Sequence, residues 1–138
     1  MPRTLLAACL LLAACAGPLP APDTQHAWVE VYTTPGNSLL AERLDNLSVK
    51  DGRYYQLTPG PHQLQLRLQF ELPSGNGLDH SDGGSLRTCL FNLDYANFQA
   101  GQHYRVSAGQ QGYRGWVRLY DAQRQLLARG KQLRCGGF

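Results

Sequence analysis

The chain has 138 residues, with thirteen Lys/Arg, ten Asp/Glu and four cysteines. That length supports one domain with a modest core and excludes two. The formal net charge of +3 is unevenly spread: residues 16–102 hold five basic and nine acidic side chains, whereas residues 103–138 hold seven basic ones and a single aspartate, Asp121.

The chain opens MPRTLLAACLLLAAC. Arg3 supplies a positive n-region, Thr4 to Leu12 a short apolar h-region, and Ala13 and Ala14 the small residues that a signal-peptidase groove admits. This is the order of an export signal, and the apolar run is too short to cross a bilayer as a helix. Leu12-Ala13-Ala14-Cys15 fits the lipobox of bacterial lipoproteins, so residues 1–14 are expected to be removed and Cys15 to carry the lipid. Leu6-Ala7-Ala8-Cys9 reads the same way, but cleavage there leaves too few apolar residues upstream for export. Acyl chains contribute about 0.8 kcal/mol per buried CH₂, so such an anchor would hold the domain at a membrane. Ala16 follows, not Asp; by resemblance to enterobacterial sorting this favours the outer membrane, with the domain facing the periplasm.

Assigning Cys15 to lipid leaves Cys89 and Cys135 as an even pair in an oxidising compartment, and a disulfide is expected. The alternative, a metal site, has no CxxC or His-rich spacing to support it. Nucleic acid is not an expected partner in that compartment.

Residues 15–26 read as the lipidated Cys and a tether: three prolines and no apolar periodicity, with a stretched reach of about 35 Å at roughly 3.1–3.3 Å per residue. From Ala27 to residue 138 the pattern has period two, the mark of half-buried strands. Trp28-Glu30-Tyr32 alternates with Val29 and Val31, and Pro35-Gly36-Asn37 is a turn. Residues 39–49 fit either a short helix capped by Ser38 or a strand broken at Asp45-Asn46; the turn dipeptides Asp45-Asn46 and Asp51-Gly52 favour the strand. Tyr54 to Thr58 is a strand ended by Pro59-Gly60-Pro61. In HQLQLRLQFEL, Leu64, Leu66, Leu68 and Phe70 face one way, and Gln63, Gln65, Arg67 and Gln69 the other. Residues 73–87 form a polar loop, Cys89 to Tyr95 a strand, and Phe98-Gln99-Ala100-Gly101 a turn. Tyr104, Val106 and Ala108 alternate, Gly109 to Gly112 reads as a loop, and Trp116 to Tyr120 as a strand. A turn at Asp121 to Gln125 precedes one last strand, Leu126 to Leu133. Seven or eight short strands predict an all-β antiparallel β-sandwich, immunoglobulin-like or transthyretin-like.

The run Leu57-Thr58-Pro59-Gly60-Pro61-His62-Gln63-Leu64 looks like the L-x-P-G-x-H-x-L hairpin of small exported β-sandwich domains. With the lipobox, Cys89 and the turn from Phe98 to Tyr104, the chain resembles a group of small uncharacterised pseudomonad outer-membrane lipoproteins. The resemblance implies fold and address and brings no activity. The same stretch is echoed weakly by Phe98-Gln99-Ala100-Gly101-Gln102-His103, which reads as one corner solution used twice.

No G-x-S-x-G, H-E-x-x-H or P-loop stands in the sequence, so no enzyme and no cofactor is expected. Asp79-His80-Ser81-Asp82 is the best metal candidate, but its spacing misses the EF-hand pattern and a solvated loop is the favoured reading. Trp28-Glu30-Tyr32 and Trp116-Arg118-Tyr120 share an aromatic–charge–aromatic alternation, which predicts neighbouring strands with Glu30 beside Arg118. Trp28, Tyr32, Trp116, Arg118 and Tyr120 are therefore the expected partner surface. The basic C-terminal third either faces an anionic envelope polymer or lipid, or is dispersed by pairing with acidic strands. The resulting expectation is a non-catalytic envelope lipoprotein contacting a protein or envelope polymer. The alternatives are a small-ligand or glycan-binding periplasmic module using the 73–87 loop, and a secretion-apparatus anchoring lipoprotein.

Overall fold

The period-two pattern is realised as strands throughout. A computed structural model describes residues 17–72 and 86–136. The signal peptide, Cys9 and Cys15, and the Asp79–Asp82 candidate lie outside the described residues. Within them are ten strands and no helix: β1 (Ala27–Thr33), β2 (Ser38–Leu44), β3 (Leu47–Ser48), β4 (Tyr54–Leu57), β5 (Gly60–Glu71), β6 (Leu86–Phe98), β7 (His103–Gln111), β8 (Arg114–Tyr120), β9 (Leu126–Arg129) and β10 (Lys131–Gly136). They form two five-stranded sheets, β4-β1-β7-β8-β9 and β10-β6-β5-β2-β3, packed as a sandwich.

The ambiguous stretch after Ser38 is strand, because Asp45 and Asn46 take positive φ (47° and 68°) and turn β2 into β3. Asp and Asn reach the left-handed region at little cost, which a continuing helix does not allow. Gly60 (φ 115°) turns β4 into β5 as its sequence context predicted. Leu64, Leu66, Leu68 and Phe70 are fully buried and meet Tyr55, Phe91, Leu93, Val106 and Leu119 in one core. On the other side of the β5–β6 pair runs a polar ladder, in which Gln63 donates to the exposed Asp94 and Gln69 to the buried Thr88. The phenol of Tyr55 reaches from β4 across the core to the Gln65 carbonyl of β5, and burial raises its pKa. Cys89 and Cys135 are direct cross-strand partners on β6 and β10 and form a disulfide.

The immunoglobulin order places the first two strands in one sheet. Here β1 and β2 lie in different sheets, so the topology agrees with the transthyretin-like alternative, extended by β9 and β10. Four local expectations are corrected. The sandwich is not wholly antiparallel, since β1 runs parallel to β7. Residues 109–111 are strand rather than loop, and Gly109 is required there: a Cβ would lie 2.6 Å from Trp116 Cζ2 on the neighbouring strand. The last strand is two strands in different sheets, because Gly130 carries the chain across; its amide donates to Val117 O (2.7 Å), and a Cβ would meet the Val117 side chain at 2.9 Å. The loop expected over 73–87 ends earlier, since Leu86 and Arg87 already belong to β6.

Residues 17–26 have no regular structure, yet they touch the domain at both ends. Arg53 Nη1 donates to Gly17 O at 3.0 Å, and Gly101 N donates to His26 O at 2.8 Å. Asp23 accepts from Gln25 N and meets the His26 ring.

Candidate functional site

Alternation puts Trp28, Glu30 and Tyr32 of β1, His103, Arg105 and Ser107 of β7, and Arg114, Trp116, Arg118 and Tyr120 of β8 on the outer face of one sheet. The aliphatic partners Val29, Val106, Val117 and Leu119 are buried beneath them. The five residues of the expected partner surface therefore share one face. Their expected arrangement is corrected: β1 and β8 are not neighbours, because β7 lies between them. Glu30 is in register with Arg105 and Tyr32 with Ser107, while Arg118 pairs with Ser107 from the other side. The carboxylate of Glu30 meets Arg105 Nη2 at 3.8 Å rather than Arg118, and both are half-exposed.

These side chains, apart from Arg114 and Arg118, line an open groove of about 620 Å³. Its floor is β7, one wall is β1, and the other is Trp116, Tyr120 and the turn at Asp121, Ala122 and Arg124. Trp116 covers Gly109, and Trp28 is only 6% exposed because Tyr54 of β4 stacks on it, with centroids 4.4 Å apart and planes within 8°. Trp28 thus belongs to the wall as a packed residue, not as an exposed contact. Guanidinium groups lie over two of the other rings: Arg105 over Tyr32 at 5.2 Å and Arg118 over Trp116 at 4.6 Å, the geometry of cation–π pairs. Asp121 organises the turn, its Oδ1 accepting from the amides of Gln123 and Gln125 at 2.9 Å, while Arg124 takes a positive φ of 65°. Arg105, Ser107, Asp121 and Arg124 were not anticipated. The outward set of β7 is legible in the Tyr104-Val106-Ala108 alternation, but its position between the two tryptophan strands is not.

A second cluster joins the β2–β3 turn to β5. The His62 ring, only 11% exposed, meets Asp45 Oδ2 through Nδ1 at 2.5 Å. Its Nε2 lies 2.7 Å from Thr58 O and 3.1 Å from Thr58 Oγ1. Carboxylate, imidazole and hydroxyl in this order resemble a nucleophile relay. The nearer neighbour of Nε2 is a carbonyl oxygen, however, and an N–H bonded to it cannot accept the hydroxyl proton. The trio acts as a staple, reinforced by Gln63 N donating to Asp45 Oδ1 and Asp45 N to Gln63 O, both at 2.9 Å.

Partial burial acts to raise the Asp45 pKa, but the Gln63 amide and the His62 ring outweigh it and hold the carboxyl below its ordinary 3.8. A carboxylate with a depressed folded-state pKa adds stability above its unfolded value and loses it as pH falls through the folded one. Asn at position 45 keeps the turn and the acceptor oxygen but removes the charge. Asp45→Asn is expected to be less stable than wild type at pH 7, with the gap closing as pH falls below about 4. Urea titrations at several pH values would measure this; a gap independent of pH would refute the ionic role of Asp45.

Among the described residues, no group of three or more His, Cys, Asp and Glu is placed to hold a metal ion. Compared with protein-family models, with curated proteins and with solved structures, the chain matches none.

Proposed function

We propose that the chain is an exported, lipid-anchored, non-catalytic β-sandwich of the cell envelope, of the pseudomonad outer-membrane lipoprotein kind, which grips an envelope polymer. The observation that carries this reading is the outer face of β1, β7 and β8. An open groove of about 620 Å³, floored by Arg105 and Ser107, presents aromatic rings beside polar groups. A deep pocket with converging polar groups would favour a small ligand; an open aromatic and arginine surface suits an extended partner. The lipid on Cys15 would keep this face near the polymer. Arg53 and Gly101, by holding residues 17–26, would shorten the free leash between lipid and domain.

Co-sedimentation of the full chain with isolated peptidoglycan sacculi tests the proposal. Trp116→Ala removes the ring and leaves Gly109 uncovered, and is expected to weaken binding about tenfold, which corresponds to about 1.4 kcal/mol. Unchanged binding by this variant would move the site off this face. The transthyretin-like strand order supports a second reading, a secretion-apparatus anchoring lipoprotein, by fold analogy. In-cell crosslinking of wild type and Cys15→Ala separates the two, because an apparatus anchor would be captured with discrete protein partners only when lipidated.

A further inference from the structure

Four of the seven basic side chains in the C-terminal third are not paired with acidic strands among the described residues. Arg114, Arg118 and Arg129 point outward from β8 and β9, and Arg124 sits in the turn that joins those strands. Among the described residues, none of the four has a carboxylate within ion-pair distance. Of the two acids that line this face, Glu30 meets Arg105, and Asp121 accepts two backbone amides of its own turn. Arg118 and Arg129 are in direct cross-strand register, and like charges so placed oppose folding. A sheet could avoid this pairing by a single substitution, so the uncompensated charge points to an anion supplied from outside. Guanidinium groups match carboxylate and phosphate oxygens two bonds at a time. Along β8 the outward order is Arg114, Trp116, Arg118, Tyr120, which alternates cation and ring at about 6.8 Å per pair of residues.

We propose that this face binds an anionic saccharide chain laid across β8 and β9. Its sugar rings pack against Tyr120 and the edge of the half-buried Trp116, and its acidic groups are held by Arg118, Arg129 and Arg124. This inference rests on the polymer-binding reading of the same face and adds the charge of the polymer to it. A bilayer surface fits less well, because docking there calls for apolar side chains that project outward. Among the described residues, the most exposed leucines, Leu47 and Leu86, belong to the other sheet; on this face Leu126 is the one exposed aliphatic side chain, Arg105 lies over Tyr32, and Trp116 covers Gly109.

Titration of the full chain with oligogalacturonate and with a neutral cello-oligosaccharide of equal length, followed by tryptophan fluorescence, tests the inference. The charged chain is expected to bind at least tenfold more tightly at low salt, with the difference shrinking as salt screens the arginines. Arg118→Gln/Arg129→Gln is expected to lose that preference and to unfold at a temperature no lower than wild type because a like-charge pair is gone. Equal affinity for the two saccharides would overturn the anionic assignment and leave the polymer-binding reading standing. Binding of neither would overturn both. If the double variant instead loses binding to phosphatidylglycerol vesicles while oligogalacturonate binding is unchanged, the face docks a membrane and the saccharide proposal fails.

Discussion

Alanine at both Cys89 and Cys135 is expected to lower the free energy of unfolding by about 2–5 kcal/mol. The bond joins residues 46 apart in sequence, and the chain-entropy model assigns a loop of that size a contribution on the order of 4 kcal/mol. Its position sharpens the prediction. β10 is the outermost strand of its sheet and pairs only with β6, so the disulfide clamps an edge that otherwise depends on one hydrogen-bonded ladder. Cys89 is fully buried and is in register with Leu68 on its other side, so its alanine variant also opens a small gap beside the core. Urea unfolding would show a lower midpoint, and hydrogen exchange would show the β10 amides losing protection before those of β5. A double variant within about 0.5 kcal/mol of wild type would show that the edge is held by its ladder alone; that margin is the usual size of a surface substitution.

Leu68→Ala is expected to cost about 2–5 kcal/mol, the range for emptying a fully buried leucine position. Gly115 makes this a test of sheet-to-sheet packing as well as burial. It faces inward from β8, where a Cβ would lie 2.8 Å from Leu68 Cδ2 and 3.3 Å from Phe70 Cε1 and Phe91 Cζ. Gly115→Ala alone therefore overpacks the core, at about 1–3 kcal/mol. Combined with Leu68→Ala, the new methyl enters the space the leucine vacates. The double variant should be more stable than the sum of the single effects by about 0.5–3 kcal/mol. Strict additivity in denaturant melts would show that the two sheets are not in contact at this point.

Much of the architecture was legible because strand patterning is local. Leu64, Leu66, Leu68 and Phe70 alternate with glutamines and an arginine, and that alone identifies the buried face of β5. Gly60 and the Asp45-Asn46 dipeptide mark turns by their tolerance of positive φ. The pairing of Cys89 with Cys135 followed from counting cysteines once Cys15 was reserved for lipid. Glycines within strands were misread for the same local reason. Gly109 looks like a loop residue until the indole lying on it is seen, and Gly130 looks like strand interior until the chain is seen to leave one sheet for the other.

The candidate site was half legible. Alternation by itself determined that Trp28, Glu30 and Tyr32 share a side of their strand, as do Trp116, Arg118 and Tyr120, and that both sets lie opposite aliphatic residues. Only the tertiary structure decided that β7 enters between the two strands. The β1–β7 pairing is parallel, which no tight turn can specify, and it joins segments 75 residues apart (Trp28 with His103). That insertion gives Glu30 to Arg105, floors the groove, and leaves Arg118 opposite Arg129 without a carboxylate. Tertiary packing also decided that Trp28 is a buried wall, because Tyr54 arrives from β4 to stack on it. A sequence states which side chains share a face of one strand. Which strands lie side by side, and so which charges meet, is set by contacts that close only when the whole sandwich forms.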